Sequence, residues 1–505
     1  MPIYSSSPSL QSTVTIWSRT NRSGLTAEVT TRTLAPTSAL ERKTVDVLIP
    51  IQEGKHSVDS SRLYTSLANL GSTPAVISPN GSLTYNELNH EWKHWKTRLQ
   101  DIGIHSGSVV ALEADYNTAA VAALIALLNL KAITVPISSL PDEKREEILT
   151  TSGARFYIEL NGTKQKIHAL ESVDEVSSDL YDALRTRGAA GLVLFSSGTT
   201  GNSKGAVLDF DKIIDAYENS NRKPQRTITF LGFDHIGGIN TLFHALTHGS
   251  TIVTVQERTP DEVLKIVEKA AVEVLPTTPT FLTMCLIGNK FNQYDLSSLQ
   301  IITYGTEPMP EQTLQKLHEA LPEVKLKQTY GLSELGIMST KSKSDDSLWV
   351  KLGGPGFSYK IIDGTLWIKS ERAMLGYLNA PYRFDDDGFF NTQDQVEVDG
   401  EYVKILGRKS EIINVGGLKV YPSEVESALL EVRGVTDALV FGQANAVTGQ
   451  VVRAKVRPSG GTDIEMLKSS IKQHCAEVLE DYKRPVAVDI TTTDLHSKRF
   501  KKARV

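Results

Sequence analysis

An apolar run at Leu192-Val193-Leu194-Phe195 breaks off at Ser196 and resumes at Ala206-Val207-Leu208. This pattern predicts a buried strand, a polar glycine-rich loop and a returning strand. Upstream, residues 86–99 place Leu88, Trp92 and Trp95 at helical spacing. A strand over 108–113, a helix over 117–130 with Asn117 as N-cap, and a strand over 132–136 follow. Downstream the alternation continues, with strands at 227–231, 251–255, 272–275 and 301–304 and helices at 239–246 and 311–320. Thr259-Pro260 and Thr278-Pro279 each open a further helix, because proline fits the first helical position. Strand–helix–strand units in this order predict parallel sheets with helices on their faces.

From residue 347 the period changes. Residues 347–371 alternate apolar and polar around Gly353-Gly354 and Asp363-Gly364, which is strand-and-hairpin text. A strand over 402–405 comes next. Ser423-Glu424-Val425-Glu426 and Thr462-Asp463-Ile464-Glu465 both read as capping boxes, the second opening a helix to residue 478. Strands over 435–441 and 451–456 lie between them. The fold class is α/β: a large N-terminal domain of layered α/β sheets with a small β-barrel-like subdomain, then a small C-terminal α+β domain. The boundaries read as a leader over 1–50, a large domain over 51–408, a hinge over 409–411 and a small domain over 412–505.

The chain has 505 residues, too many for one ordinary core. A net charge of -5 provides no general argument for nucleic-acid binding. Cys285 and Cys475 have no metal-type spacing and fit a reducing, cytoplasmic setting. No apolar run is long enough for a transmembrane segment. Residues 1–45 are rich in Ser and Thr and have no acid before Glu28, a bias shared by disordered leaders and mitochondrial-type transit peptides.

The loop Ser196-Ser197-Gly198-Thr199-Thr200-Gly201-Asn202-Ser203-Lys204-Gly205 has the parts of a phosphate cradle. Its glycines let backbone N–H groups converge on an anion, and hydroxyls and one ammonium surround it. An ordinary flexible hairpin is the plainer alternative. The P-loop of kinases and GTPases is excluded, since Lys204 follows Ser203 and precedes Gly205.

This stretch, with later ones in order, resembles the adenylate-forming superfamily of acyl- and aryl-CoA synthetases, peptide-synthetase adenylation domains and luciferases. Gly232-Phe233-Asp234-His235-Ile236-Gly237-Gly238 is similar to the family's substrate motif. The resemblance implies an acyl pocket at Asp234, His235, Gly237 and Gly238, with His235 as its gate. Asp234 reads either as a turn residue or as a partner for an amino substrate. Tyr304-Gly305-Thr306-Glu307 and Thr329-Tyr330-Gly331-Leu332-Ser333-Glu334 resemble the adenine and metal motifs. They imply Tyr330 on the adenine, Ser333 on the α-phosphate and Glu334 on Mg²⁺. Leu375-Gly376-Tyr377 resembles a motif with a structural role.

Asp394, at the end of Asp387-Gly388-Phe389-Phe390-Asn391-Thr392-Gln393-Asp394, is implied to hold the ribose, together with Arg408. Gln393 stands where the family has Gly. Ser410 occupies the hinge position, where the family has Asp or Lys. Gly416 and Gly417 match the mobile loop of the thioester step, with Lys419 beside the nucleotide. Ser497-Lys498-Arg499-Phe500-Lys501 resembles the segment carrying the catalytic lysine, with Lys498 the first choice and Lys501 the fallback.

The resemblance implies that a small carboxylic acid and Mg·ATP form an acyl-adenylate, with Lys498, Ser333, Glu334 and His235 acting in catalysis. A thiol then takes the acyl group. Free CoA is the expected acceptor, an acyl carrier protein the alternative, and a non-catalytic nucleotide-binding relative a third reading. A fatty or aromatic acid is the default substrate.

Overall fold

The computed structural model describes residues 61–161, 165–170, 178–197, 203–218, 222–381, 384–493 and 495–496. Four sheets organise them. In the first, six strands run parallel in the order Lys325–Gln328, Ile301–Tyr304, Val274–Thr277, Arg226–Thr229, Thr251–Thr254 and Pro74–Ser78, with Gly81–Thr84 antiparallel at the edge. The second has a parallel centre, Gly191–Ser197, Ile133–Ile137, Val109–Ala114 and Phe156–Leu160. Its antiparallel flanks are Lys166–Ala169 on one side and Ser203–Asp209 with Gly376–Tyr377 on the other.

Helices Tyr85–Asp101, Thr118–Asn129 and Ile236–Thr247 share one core with strands of both sheets. Thr118–Asn129 is buried on every side, in keeping with its unbroken Ala/Leu text. Helices Pro260–Ala270, Pro279–Ile287 and Glu311–Ala320 cover the outer face of the first sheet, and Asp142–Ser152 and Asp179–Arg187 that of the second. The large domain is therefore layered as the alternation predicts.

Local signals account for the helix starts. Asn117, Thr259 and Thr278 each accept a backbone N–H with their side chains, and Thr84 and Glu87 form a reciprocal capping box. The strand expected from 272 begins at Val274. Ala271 ends the preceding helix in the left-handed region, and the Val272 N–H is taken by Val267, closing that helix.

A third sheet is antiparallel, in the order Tyr330–Leu332, Gly336–Ser342, Trp349–Gly353, Tyr402–Arg408, Phe390–Asp399, Thr365–Ser370, Phe357–Ile362. It supplies the β-subdomain. Strand Tyr402–Arg408 runs three residues beyond its expected end, and this extension sets Arg408 opposite Asp394.

Strands and helices between Ile413 and Ile490 build the fourth sheet over a core of their own. Ser410 sits in the short 3-10 turn Lys409–Glu411 that precedes it. The two capping boxes expected here are corrected. Helix Pro422–Glu431 starts after Tyr421 without a side-chain cap. Ser423 instead donates to the Leu406 carbonyl at 3.1 Å, and Glu426 is buried, accepting the Val440 N–H. In the other, Asp463 rather than Thr462 caps helix Ile464–Val478. No helix among the described residues is long and apolar enough to cross a membrane.

One backbone position is held against its preference. Gln393 has φ +63°, in the region that favours glycine, immediately before Asp394. Gln393→Gly is expected to raise stability by about 1 kcal/mol. Thermal melting would register this as a higher Tm, whereas a lower Tm would show that side-chain contacts of Gln393 outweigh the strain.

Candidate active site

The glycine-rich segment is a hairpin, as its pattern predicts. Strands Gly191–Ser197 and Ser203–Asp209 pair with Ser196 opposite Lys204 and Ser197 opposite Ser203. Gly198, Thr199, Thr200 and Gly201 lie outside the described residues, so only the base of the loop is seen. That base is tied down on both sides. Glu147 accepts the Ser203 N–H at 2.8 Å, and Asn379 both accepts the Gly205 N–H and donates to the Ser203 carbonyl. A Cβ at Gly205 would lie 2.9 Å from the Phe195 ring.

Strands Ile301–Tyr304 and Lys325–Gln328 run side by side to the next two motifs. Tyr304 points into the core, almost fully buried, and its carbonyl accepts the backbone N–H and hydroxyl of Thr329. Gly305 is pressed against Thr329, leaving 2.6 Å for a Cβ. Thr306 follows at φ +74°. Glu307 accepts the Thr280 N–H at 2.8 Å, in the first turn of helix Pro279–Ile287, where a negative charge suits the helix dipole.

Tyr330 donates its hydroxyl to Oδ2 of Asp394 in a short hydrogen bond, while Nε of Arg408 lies 3.5 Å from Oδ1. Asp394 is 7% exposed. Burial pushes its carboxyl above the ordinary aspartate value, against the opposing pull of Arg408 and Tyr330. Burial and the Asp394 charge drive the Tyr330 phenol well above its usual range. A carboxylate has about four acceptor sites, so these two partners leave capacity for a ligand's hydroxyls.

Glu334 lies close enough to Asp394 and Arg408 to affect both electrostatically. It is half-buried, in a turn with Ser333 between strands Tyr330–Leu332 and Gly336–Ser342. One of its oxygens accepts the Tyr377 hydroxyl at 2.6 Å. Gly331 before it has no room for a side chain, with 2.6 Å to the Gly336 carbonyl. Among the described residues no three or more His, Cys, Asp or Glu side chains gather as a protein-only metal site. A lone carboxylate suits Mg²⁺ that arrives on nucleotide phosphates, since this ion is usually held by one or two carboxylates plus phosphate.

His235 caps helix Ile236–Thr247, its Nδ1 accepting the Gly237 N–H at 3.0 Å. Ser138 donates to Asp234 at 2.7 Å, so that carboxylate already has a hydroxyl partner. Gly238 is a steric necessity, since a Cβ there would fall 2.0 Å from the Gly232 carbonyl; at Gly237 the nearest atom is the tip of the Leu231 side chain, 2.6 Å away.

The remaining residues belong to the small domain. Gly416 and Gly417, at φ +59° and +89°, form the two-residue turn between strands Ile413–Val415 and Leu418–Val420. Their N–H groups are taken by Thr448 and Asn414. Lys419 is exposed on the second strand. Lys498, with Lys501, lies outside the described residues. Thus Tyr330, Glu334, Asp394 and Arg408 come together, and the glycine turn and Lys419 stand on a separate core. Tyr377, Asn379, Glu147 and Ser138 carry no local sequence signal for their contacts here.

Comparison with known proteins identifies the family. The chain matches the family model of the AMP-binding enzyme over residues 63–378, and that of the AMP-binding enzyme C-terminal domain over residues 424–502. It is 26% identical to 4-coumarate-CoA ligase 1 of Narcissus pseudonarcissus, across 88% of this chain and 91% of that protein. Acyl-CoA synthetase 7 of Caenorhabditis elegans is 31% identical, over 57% of this chain and 59% of its own length. The solved structure of the anthranilate CoA ligase AuaEII with anthranoyl-AMP has the same fold, with a TM-score of 0.75 at 21% identity, covering 88% of this chain and 95% of that one. The chain belongs to the AMP-binding enzymes, in both its large and its C-terminal domain.

Proposed function

We propose that this protein is an acid–thiol ligase that activates a small carboxylic acid with Mg·ATP and passes the acyl group to coenzyme A. The observation that carries the reading is the buried Asp394 held by Tyr330 and Arg408, with Glu334 in electrostatic range, in a chain of this family. Residues 51–408 form the large domain, 409–411 the hinge and 412–505 the small domain, a division supported by the separate core between Ile413 and Ile490. Two buried free cysteines fit a reducing, cytoplasmic setting.

In the first half-reaction a carboxylate oxygen attacks the α-phosphorus of ATP. The bond to the β-phosphate oxygen breaks, and pyrophosphate leaves with the electron pair. Catalysis is mostly positioning and charge neutralisation. Asp394 and Arg408 orient the ribose, Tyr330 and the 304–307 segment border the adenine, and Ser333 meets the α-phosphate. The hairpin from Ser196 to Lys204 holds the outer phosphates, and Lys498 offsets charge on the attacking carboxylate and α-phosphate. Glu334 would hold Mg²⁺, which when bound offsets charge on the phosphates. Asp234, His235, Gly237 and Gly238 border the acid. In the second half-reaction the small domain turns about Ser410, bringing Gly416-Gly417 and Lys419 to the site. A thiol sulfur attacks the acyl carbon, AMP departs, and the thiol proton is lost.

Pyrophosphate release from Mg·ATP, measured across fatty, aromatic and amino acids with and without CoA, is expected to respond to one acid class and to need CoA for turnover. Adenylation that CoA cannot discharge would transfer the acceptor role to a carrier protein. No release with any acid would support a nucleotide-binding protein without activity.

The half-reactions should separate by mutation. Lys498→Ala is expected to abolish adenylate formation yet still convert added acyl-AMP to the thioester. Gly417→Trp, which burdens a turn at φ +89°, is expected to do the reverse. Failure of both variants in both steps would remove the two-orientation mechanism.

The ribose contact should titrate. Asp394 must be ionised to accept hydroxyl protons, and its pKa is raised by burial. Nucleotide affinity is therefore expected to fall, as pH drops, earlier than an ordinary carboxylate would cause. Calorimetric titration of AMP against pH should show this limb in the wild type and lose it in Asp394→Asn.

A further inference from the structure

Residues 374–379 form a strap between two parts of the site that are remote in sequence. At one end the Met374 N–H donates to the Glu334 carbonyl at 2.7 Å, and the Tyr377 hydroxyl donates to Glu334 Oε1 at 2.6 Å. Backbone and side chain of one glutamate are thus held by the same six-residue stretch. Along its length Gly376–Tyr377 pairs antiparallel with Val207 and Ala206 of the returning hairpin strand, flanked by Leu375 N–H to the Val207 carbonyl and Leu378 N–H to the Gly205 carbonyl. Asn379 completes the far end, bonded to Gly205 and Ser203. Tyr377 is 7% exposed, so its phenol is enclosed by packing and delivers its hydroxyl from a fixed direction.

A glutamate on a turn has several rotamers, and a ligand that needs one of them must first freeze the others. A hydrogen bond from a phenol to an ionised carboxylate is of the strong, charge-assisted kind. It occupies Oε1 and fixes the plane of the group, which leaves Oε2 with a set direction. Hydroxyl partners that orient a metal-ligating carboxylate commonly account for a 10–100-fold change in metal affinity.

We propose that Tyr377 is a positioning residue of the nucleotide site, holding the Glu334 carboxylate in the orientation that receives the cation of Mg·ATP, with the strap around it anchored to the glycine-rich hairpin. The assignment rests on the activity proposed above. It gives a role to a tyrosine whose sequence motif reads as structural.

Tyr377→Phe in the full chain removes one oxygen and keeps the packed ring. Binding of Mg·ATP, and of ATP with EDTA, is measured by calorimetry in the absence of acid, alongside the melting temperature. The expected result is a ~10-fold loss of affinity for Mg·ATP, unchanged affinity for metal-free ATP and an unchanged Tm. Equal loss for both forms of the nucleotide, or no loss, overturns the assignment. Early melting also overturns it, since the hydroxyl would then serve the fold. A wild-type chain that binds no Mg·ATP overturns the proposed activity itself; wild-type binding with an indistinguishable variant overturns only the role of Tyr377.

Discussion

A carboxylate nearly sealed from water dictates how the parts of the site meet. A charge in the position of Asp394 would cost several kcal/mol if left without partners, so its neighbours have to be brought to it. Tyr330 comes from the first strand of the antiparallel sheet, just past the last parallel strand, Lys325–Gln328. Arg408 comes from the strand running alongside Asp394 and is its final residue. One carboxyl group thereby joins the end of the layered domain to the β-subdomain. The left-handed Gln393 immediately before it belongs to the same constraint. A strained backbone beside a functional group persists when surrounding contacts over-determine it, and Asp394 has such contacts on both oxygens.

Much of the layered fold was legible because its punctuation is local. Asn117, Thr259 and Thr278 act within three residues of themselves, and the helices they open begin where the text says. Errors arose where tertiary contacts overruled equally local signals. Ser423 and Glu426 have the spacing of a capping box, but a strand carbonyl and a neighbouring strand's N–H claim their side chains. The strand that the text starts at Val272 starts at Val274, because Val272 is consumed in closing the preceding helix.

The site was legible as a set of residue types and illegible as a set of contacts. Asp394 and Arg408 could be named from their motifs, yet nothing in the text joins Tyr330 to a carboxylate 64 positions away, or Tyr377 to Glu334 across 43. Glu307 shows the same limit. Its motif implies the nucleotide, and its bond to the first turn of a helix 27 positions earlier is equally absent from the text. Separation of this kind is set by sheet register, which alternating hydrophobicity alone does not encode.

The helix that opens at His235 has a consequence for how this protein can diverge. Its first turn lies so close to the preceding loop that Gly238 faces a carbonyl where a methyl group would go. A wall made of touching backbone cannot be carved or padded by exchanging side chains at that point. On the proposed placement of the acid beside this turn, a change in the acids accepted comes through neighbours that do carry side chains, such as Asp234 and its partner Ser138. On that reading, variation in substrate preference, whether natural or designed, is channelled to the side chains flanking this turn while its backbone stays constant.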